Sequence, residues 1–393
     1  MISPARYGPW IKWLYEKEKS FMSRHASRNP ARYIDPVLLF PVLGLCGIGI
    51  VMIYSASSEI ALRNFGSEYY FFSRQMIYLG IGAAAMAAAC FFPYRVYRAA
   101  TYGLLILAAV FLAALLIDGV GHTAGGATRW LRVSWLSFQP SEFARLALII
   151  FLAYSLTKKQ TQVEKASIGF LPHVIVLLVF TVLIMLQPDF GTIVIFWMMA
   201  WIVMFVGRVP VSHLVSAFLL MLPFAGWLLF AAEYRIKRYV TFLDPWKYPL
   251  DEGYQIIHAM MAFNSGGIFG QGLGQGYQKL FYLPAPHTDF IFSVIGEEGG
   301  LVMVLLILAL FLVILWRGLQ IASRADDNFG SFLAFGVTAS ITLQAVINMG
   351  VNLSLLPTKG LTLPFLSFGG SSLVFNLLGV GILMNIRAQQ EKS

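Results

Sequence analysis

The chain has 393 residues, of which 58% are hydrophobic and 12% charged, with a mean hydropathy of +0.72. That balance excludes an ordinary soluble domain, in which about 25% of residues are charged. The formal net charge of +9 comes without an RRM, zinc-finger or helix-turn-helix pattern, so anionic lipid is a simpler partner than nucleic acid.

Residues 1–36 form a basic leader carrying Arg6, Lys12, Lys17, Lys19, Arg24, Arg28 and Arg32. It has neither a short apolar core nor a small-residue cleavage site, and so reads as a retained cytoplasmic segment rather than a signal peptide. Within it, Trp10, Trp13 and Leu14 at helical spacing suit an interfacial helix, and a disordered tail fits as well. Apolar stretches near the ~20 residues needed to cross a bilayer follow. They lie at about 37–56, 73–92, 97–117, 141–157, 168–186, 190–207, 211–231, 290–316, 328–350 and 367–386. The short alternating segments of a β-barrel are not seen. The expected fold is all-α: a polytopic membrane domain of about ten transmembrane helices over 37–386, with a cytoplasmic tail at 387–393. Arg95, Arg98, Lys158, Lys159, Lys165, Arg208, Arg317, Arg324 and Arg387 collect on one side, which places both termini in the cytoplasm by the positive-inside rule. One large external loop, about 232–289, then joins helices 7 and 8. Cys46 and Cys90 fall inside spans as small buried side chains, with no disulfide framework.

Ionisable groups at membrane depth cost roughly 2.5–3.5 kcal/mol on insertion scales and are default candidates for function. Arg74 opens the second span, either snorkelling to the interface or meeting a ligand. In FQPSEFAR, Glu142 and Arg145 are three apart on one helical face, as a structural ion pair or a substrate contact. Asp189 in LQPDFGT follows Pro188 and suits a helix N-cap; a catalytic or metal role is the alternative. The external loop offers Arg235, Lys237 and Arg238 to phosphate oxygens or to interfacial anchoring. Its glycine-rich NSGGIFGQGLGQGYQ permits close backbone approach, but it is no P-loop.

In LPAPHTDFIFSVIGEE, Asp289, Ser293 and Glu297 recur at i, i+4 and i+8 and are expected to share one face. A capping aspartate with a water-filled crevice explains the pattern structurally; a general base at an external cavity explains it chemically. Burial would raise such an acid's pKa and nearby arginines would lower it. In TKGLTLPFLSFGGSS, Lys359 lies outside, within reach of a lipid pyrophosphate or a partner, and Ser371 and Ser372 open the last span beside packing glycines.

GGATRWL at 125–131, FQPSEFAR at 138–145, QPDFGT at 187–192, the run from Tyr254 to Gly300, and LPTKGLTLPFLSFGGSSL at 356–373 closely resemble the SEDS family (shape, elongation, division and sporulation). The resemblance covers nearly everything beyond the leader, and the last motif is more like the division branch than the elongation branch. Ala285 stands where glutamate is frequent, and Gly300 follows Gly299 where leucine-glycine is usual.

The resemblance implies a peptidoglycan glycosyltransferase that polymerises lipid II with inversion at the outer face of the bacterial cytoplasmic membrane. By it, Asp289 is the catalytic base. Arg74, Arg145 and Arg238 face the pyrophosphate, Glu142 and Asp189 orient them, and His287, Glu297, Lys359 and Ser371 are further substrate contacts. A divalent cation, Mg or Mn, would sit at Asp189 or Asp289; no organic cofactor is implied. The implied partners are a class B penicillin-binding protein and other divisome membrane proteins. A lipid II flippase, an elongation-type polymerase and a non-catalytic divisome scaffold are the alternatives.

Overall fold

The computed structural model describes residues 33–117, 119–124, 127–133, 136–230, 236, 240–250, 253–279, 286–358 and 360–390. The leader's basic residues, its Trp10, Trp13 and Leu14, and Arg235, Lys237, Arg238 and Lys359 lie outside them. The elements in chain order are helices α1 (Pro36–Phe65), α2 (Tyr70–Phe91) and α3 (Arg95–Ala114), then strands β1 (Gly121–Ala124), β2 (Ala127–Val133) and β3 (Leu136–Phe138). Helices α4 (Pro140–Lys158), α5 (Leu171–Met185), α6 (Phe190–Val206), α7 (Val211–Phe230), α8 (Gly253–Gly266), α9 (Ile291–Ser323), α10 (Asn328–Asn352) and α11 (Gly370–Gln390) follow.

Among the described residues, eight helices are long and apolar enough to cross a membrane; Phe190–Val206 and Val211–Pro223 are shorter apolar helices. Together they account for the expected spans, and the chain is a polytopic membrane protein. The ends differ in instructive ways. The first span runs nine residues past its expected limit of 56, to Phe65, because the helix continues beyond the apolar run with an exposed Arg63–Glu59 ion pair of 3.2 Å. At the other end α11 is helical through Gln390, so the tail expected from 387 begins as helix.

Aspartates start three of these helices. Asp35 accepts from Val37 N at 3.2 Å before α1, Asp189 caps α6, and Asp327 accepts from Gly330 N at 2.7 Å before α10. Helices α4, α10 and α11 are buried along most of their length, whereas α3 and α5 present most of theirs outward. The protein core therefore lies around α4, α10 and α11, with α2 against α11 and α1 against α9.

The fold is not purely helical. Between α3 and α4 the chain forms a three-stranded antiparallel sheet in the order β1-β2-β3, with Leu131 paired to Phe138. Strands of 4, 7 and 3 residues are too short for alternation to stand out beside 20-residue spans, which is why this sheet is absent from the expectation above.

Helix α9 is interrupted at Gly300, whose φ of 63° and ψ of −167° are non-helical. A side chain here would be strained by that φ and would also meet the backbone of Gly270 and Ile268. The break frees backbone groups, and the glycine-rich loop takes them up. Gln271 N and Gly272 N donate to the carbonyls of Glu297 and Glu298 at 2.9 and 3.0 Å, while Leu301 N and Val302 N donate to Gly267 O and Ile268 O at 3.0 and 3.2 Å. At membrane depth such pairing is obligatory. The segment Ile291–Gly299 thereby becomes a short helix with its own direction, ending one residue before the interruption.

Candidate active site

A cavity of about 870 Å³ opens where the three-stranded sheet meets α2, α4, α6, the start of α9 and the segment before α11. Of the residues singled out from sequence, Arg74, Glu142, Arg145 and Asp289 line it. The sheet adds His122, Arg129, Trp130 and Ser137 to the wall.

Asp289 is half-buried, at the loop-to-helix junction before α9. It is not the cap of that helix: Phe290 holds the N-cap position, without a side-chain bond. Its backbone is held instead. Asn348 and Asn352, one turn apart on α10, donate from Nδ2 to Asp289 O at 3.0 and 2.9 Å, and Ser293 donates to Asn352 Oδ1 at 2.8 Å. Ser367 Oγ donates to Thr288 O at 2.6 Å, and Phe368 N to His287 O at 2.8 Å. The carboxylate is thus presented by a segment fixed on two sides, while its own oxygens face the cavity. Burial raises the Asp289 pKa from 3.8 to about 6, against the lowering effects of the Arg129 charge and a Thr288 hydrogen bond; Asp189 raises it further.

Arg129 went unnoticed in the sequence, where it is one more basic residue of a segment between two spans. In the structure its Nη2 lies 3.1 Å from Asp189 Oδ1, and its charge also reaches Asp289. A Cβ on Gly360 would stand 3.3 Å from Asp289 Oδ2 and 3.4 Å from Arg129 Nη1, so the bare glycine leaves both groups open to the cavity. Arg129 Nε is buried and has no partner among the described residues. Asp189 does cap α6 as expected: its Oδ1 accepts from Thr192 N at 3.4 Å and also pairs with Arg129, while Oδ2 accepts from Thr192 Oγ1 at 2.8 Å.

The Glu142–Arg145 pair forms at 2.7 Å with both side chains buried. Arg145 continues into a polar network, donating to Gln344 Oε1 and to Asn376 Oδ1 at 3.3 Å. Gln344 in turn donates to Thr362 O at 3.0 Å. Arg74 lies over the Tyr70 ring, 4.5 Å from its centroid. Ser371 is a tie rather than a wall residue: it accepts from Gln139 N at 2.9 Å and donates to Ser137 O at 3.3 Å, joining α11 to the sheet.

His287 and Glu297 also stand apart from the cavity wall. His287 is sandwiched by Phe71 and Phe368, with ring centroids 4.3 and 5.7 Å away, and burial lowers its pKa from 6.5 to about 4. It is a neutral packing element, with no hydrogen bond to Asp289 among the described residues. Glu297 does not share the Asp289 face: its carboxylate accepts from Tyr277 N at 2.8 Å and Gln278 N at 3.2 Å. The i+8 spacing misleads because the glycine-rich loop covers that side of the helix. Beside it, Glu298 takes Lys279 Nζ at 2.6 Å, Gly274 N at 2.9 Å and Ser55 Oγ at 2.8 Å, binding the loop to α1.

Among the described residues no cluster of three or more His, Cys, Asp or Glu side chains exists, so an all-protein metal cage is not found among them. Asp189, which holds Arg129, and Asp289 are the carboxylates that a divalent cation carried by a substrate phosphate would use, since such an ion needs only one or two.

A family model for the FtsW, RodA and SpoVE cell cycle proteins matches residues 36–392. The chain is 43% identical over 357 residues to "Probable peptidoglycan glycosyltransferase FtsW" of Geobacter metallireducens, covering 91% of this chain and 95% of that one. It is 42% identical over 352 residues to "Stage V sporulation protein E" of Bacillus subtilis, covering 90% and 96%. Among solved structures, a chain from a peptidoglycan synthase complex that coordinates polymerization and crosslinking superposes with a TM-score of 0.75 at 29% identity, covering 91% of this chain and 99% of that one. The rod shape determining protein RodA of Thermus thermophilus superposes with a TM-score of 0.67 at 27% identity, covering 91% and 98%. By the matched range, the identities and their coverage, the chain belongs to the FtsW, RodA and SpoVE family of cell cycle proteins, the SEDS family.

Proposed function

We propose that this protein is a peptidoglycan glycosyltransferase that polymerises lipid II at the outer face of the cytoplasmic membrane during septal wall synthesis. The observation that carries the reading is Asp289: a carboxylate held by its backbone, facing a cavity of about 870 Å³, with a pKa raised to about 6. A general base works best when its pKa lies near the working pH. The relatives named FtsW support the chemistry and the septal role.

In the reaction, Asp289 takes the proton from the acceptor sugar's hydroxyl as that oxygen attacks the anomeric carbon of the donor. The bond from that carbon to the pyrophosphate oxygen breaks with its electron pair, leaving undecaprenyl pyrophosphate as the departing anion. One base and one displacement invert the anomeric centre, by analogy with hydrolases. Arg129, Arg74 and Arg145 on the cavity wall supply positive charge where the leaving group develops its own. Asp189 and Glu142 orient Arg129 and Arg145 through their ion pairs. Arg238 and Lys359 remain candidates for the same anion from outside the described residues.

Both termini face the cytoplasm in this reading, and the membrane domain at 37–386 works with a class B penicillin-binding protein that supplies crosslinking. The neighbouring fold from a peptidoglycan synthase complex supports such a partnership.

The test is glycan-strand formation from purified lipid II by the full chain with its partner. Long strands are expected; transport of lipid II across vesicles without any polymer would replace the enzyme by a flippase. Arg129→Gln is expected to reduce kcat/KM by about 100-fold, as loss of one transition-state charge contact does. Because the Arg129 charge lowers the Asp289 pKa, its removal also moves the acid limb of the pH–rate profile to higher pH. A variant with an unmoved limb would disconnect Arg129 from the base.

A further inference from the structure

The far end of the molecule carries a second polar cavity. Helix α9 begins just after Asp289 and ends at Ser323, so its C-terminal turns lie at the opposite membrane face. There a cavity of about 270 Å³ is lined by Arg317, Gln320, Ile321 and Arg324 of the α9 end and Arg387 and Gln390 of the α11 end. Asp35, buried at the start of α1, accepts from Arg317 Nε at 2.7 Å and lies 3.9 Å from Arg387 Nε.

Part of this arrangement is structural. Cations favour helix C-termini, and Asp35 ties α1, α9 and α11 into one knot. Arg387 further donates to Ile34 O at 3.3 Å, and Gln390 donates to Ile321 O at 2.6 Å. These bonds account for Arg317 and Arg387. They leave Arg324 unexplained: it is exposed, lines the same cavity, and forms no ion pair among the described residues. Arg324 thus adds a guanidinium with no ion pair among the described residues to a cavity wall already carrying Arg317 and Arg387, and such fork-shaped donors suit the non-bridging oxygens of a phosphate.

The surroundings favour a lipid over a free anion. Trp316, next to Arg317, is 58% exposed, and Leu312 and Leu319 on the adjoining turns are 62% and 40% exposed. An outward tryptophan beside basic residues marks headgroup level, and the leucines offer a surface for acyl chains. We propose that Arg317, Arg324 and Arg387 form a binding site for the phosphodiester headgroup of an anionic phospholipid, in the leaflet opposite the Asp289 cavity. Basic pockets between transmembrane helices on the cytoplasmic side hold such headgroups.

The full chain in detergent micelles, titrated with short-chain phosphatidylglycerol, phosphatidylcholine of equal chain length, or inorganic phosphate, tests this through thermal unfolding and native mass spectrometry. Phosphatidylglycerol is expected to bind saturably and raise Tm, and the other two to do neither. Arg324→Gln breaks no described ion pair and keeps the fold; at ~1 kcal/mol per basic residue it weakens phosphatidylglycerol about fivefold. Lys158→Gln, which removes a charge from the same face away from the cavity, leaves binding unchanged. Equal response to phosphatidylcholine or to phosphate alone overturns the proposal, and so do equal losses from Arg324→Gln and Lys158→Gln, since diffuse surface charge would then suffice.

Discussion

Asp289→Asn is expected to abolish strand formation, by roughly 10²- to 10⁴-fold in kcat, the range a positioned general base supplies. Lipid II binding should persist, because the amide keeps the shape of the group and the cavity cations are untouched. The wild-type rate should follow the ionised fraction of Asp289, falling about tenfold per pH unit below the raised pKa of about 6. Stability should move the other way. An acid whose pKa rises on folding favours the native state while protonated; that contribution is fully present below 3.8 and is lost as pH rises toward about 6. At neutral pH the enzyme therefore carries a buried charge at a cost, and Asp289→Asn should melt at a higher temperature than wild type. Polymerisation at wild-type rate by the asparagine variant would remove Asp289 as the base.

The second large effect concerns stability. Lys279→Met strips the partner from Glu298, whose side chain is 0% exposed in a 2.6 Å ion pair. Removing one member of a buried pair costs about 3–5 kcal/mol, because the remaining charge is left in a poorly solvating interior. The double variant Lys279→Met/Glu298→Gln removes both charges and should recover much of the loss, although Gly274 N and Ser55 Oγ then bond a neutral amide. Thermal unfolding of the full chain measures both. Equal melting of the single and double variants would mean that the loop is held by its backbone bonds to α9 alone.

Much of the site was legible in sequence because charge is rare in an apolar chain. Asp289, Glu142, Arg145 and Arg74 stand out against their spans, and the structure gathers all four around one cavity. Asp189 was correctly read as a cap, since capping is a local property of a carboxylate beside the first backbone N–H groups. Arg129 was invisible for the converse reason: in a segment between spans an arginine is ordinary, and only the sheet carries it against Asp189. The asparagines of α10 could have been found. Asn348 and Asn352 are amides one turn apart in an apolar span, and each must find a partner there.

Local rules therefore determined the membrane-spanning helices, their starts and the presence of a candidate acid before α9, because bilayer thickness, capping and the expense of buried charge act on neighbouring residues. Only tertiary structure decided which side of α9 was free. The interruption at Gly300 lets a loop 20 residues upstream claim Glu297 and Glu298, and the contacts from α10 and the 361–368 segment leave Asp289 open to the cavity. Those choices depend on backbone groups distant in sequence competing for the same partners, and spacing along one helix carries no record of that competition.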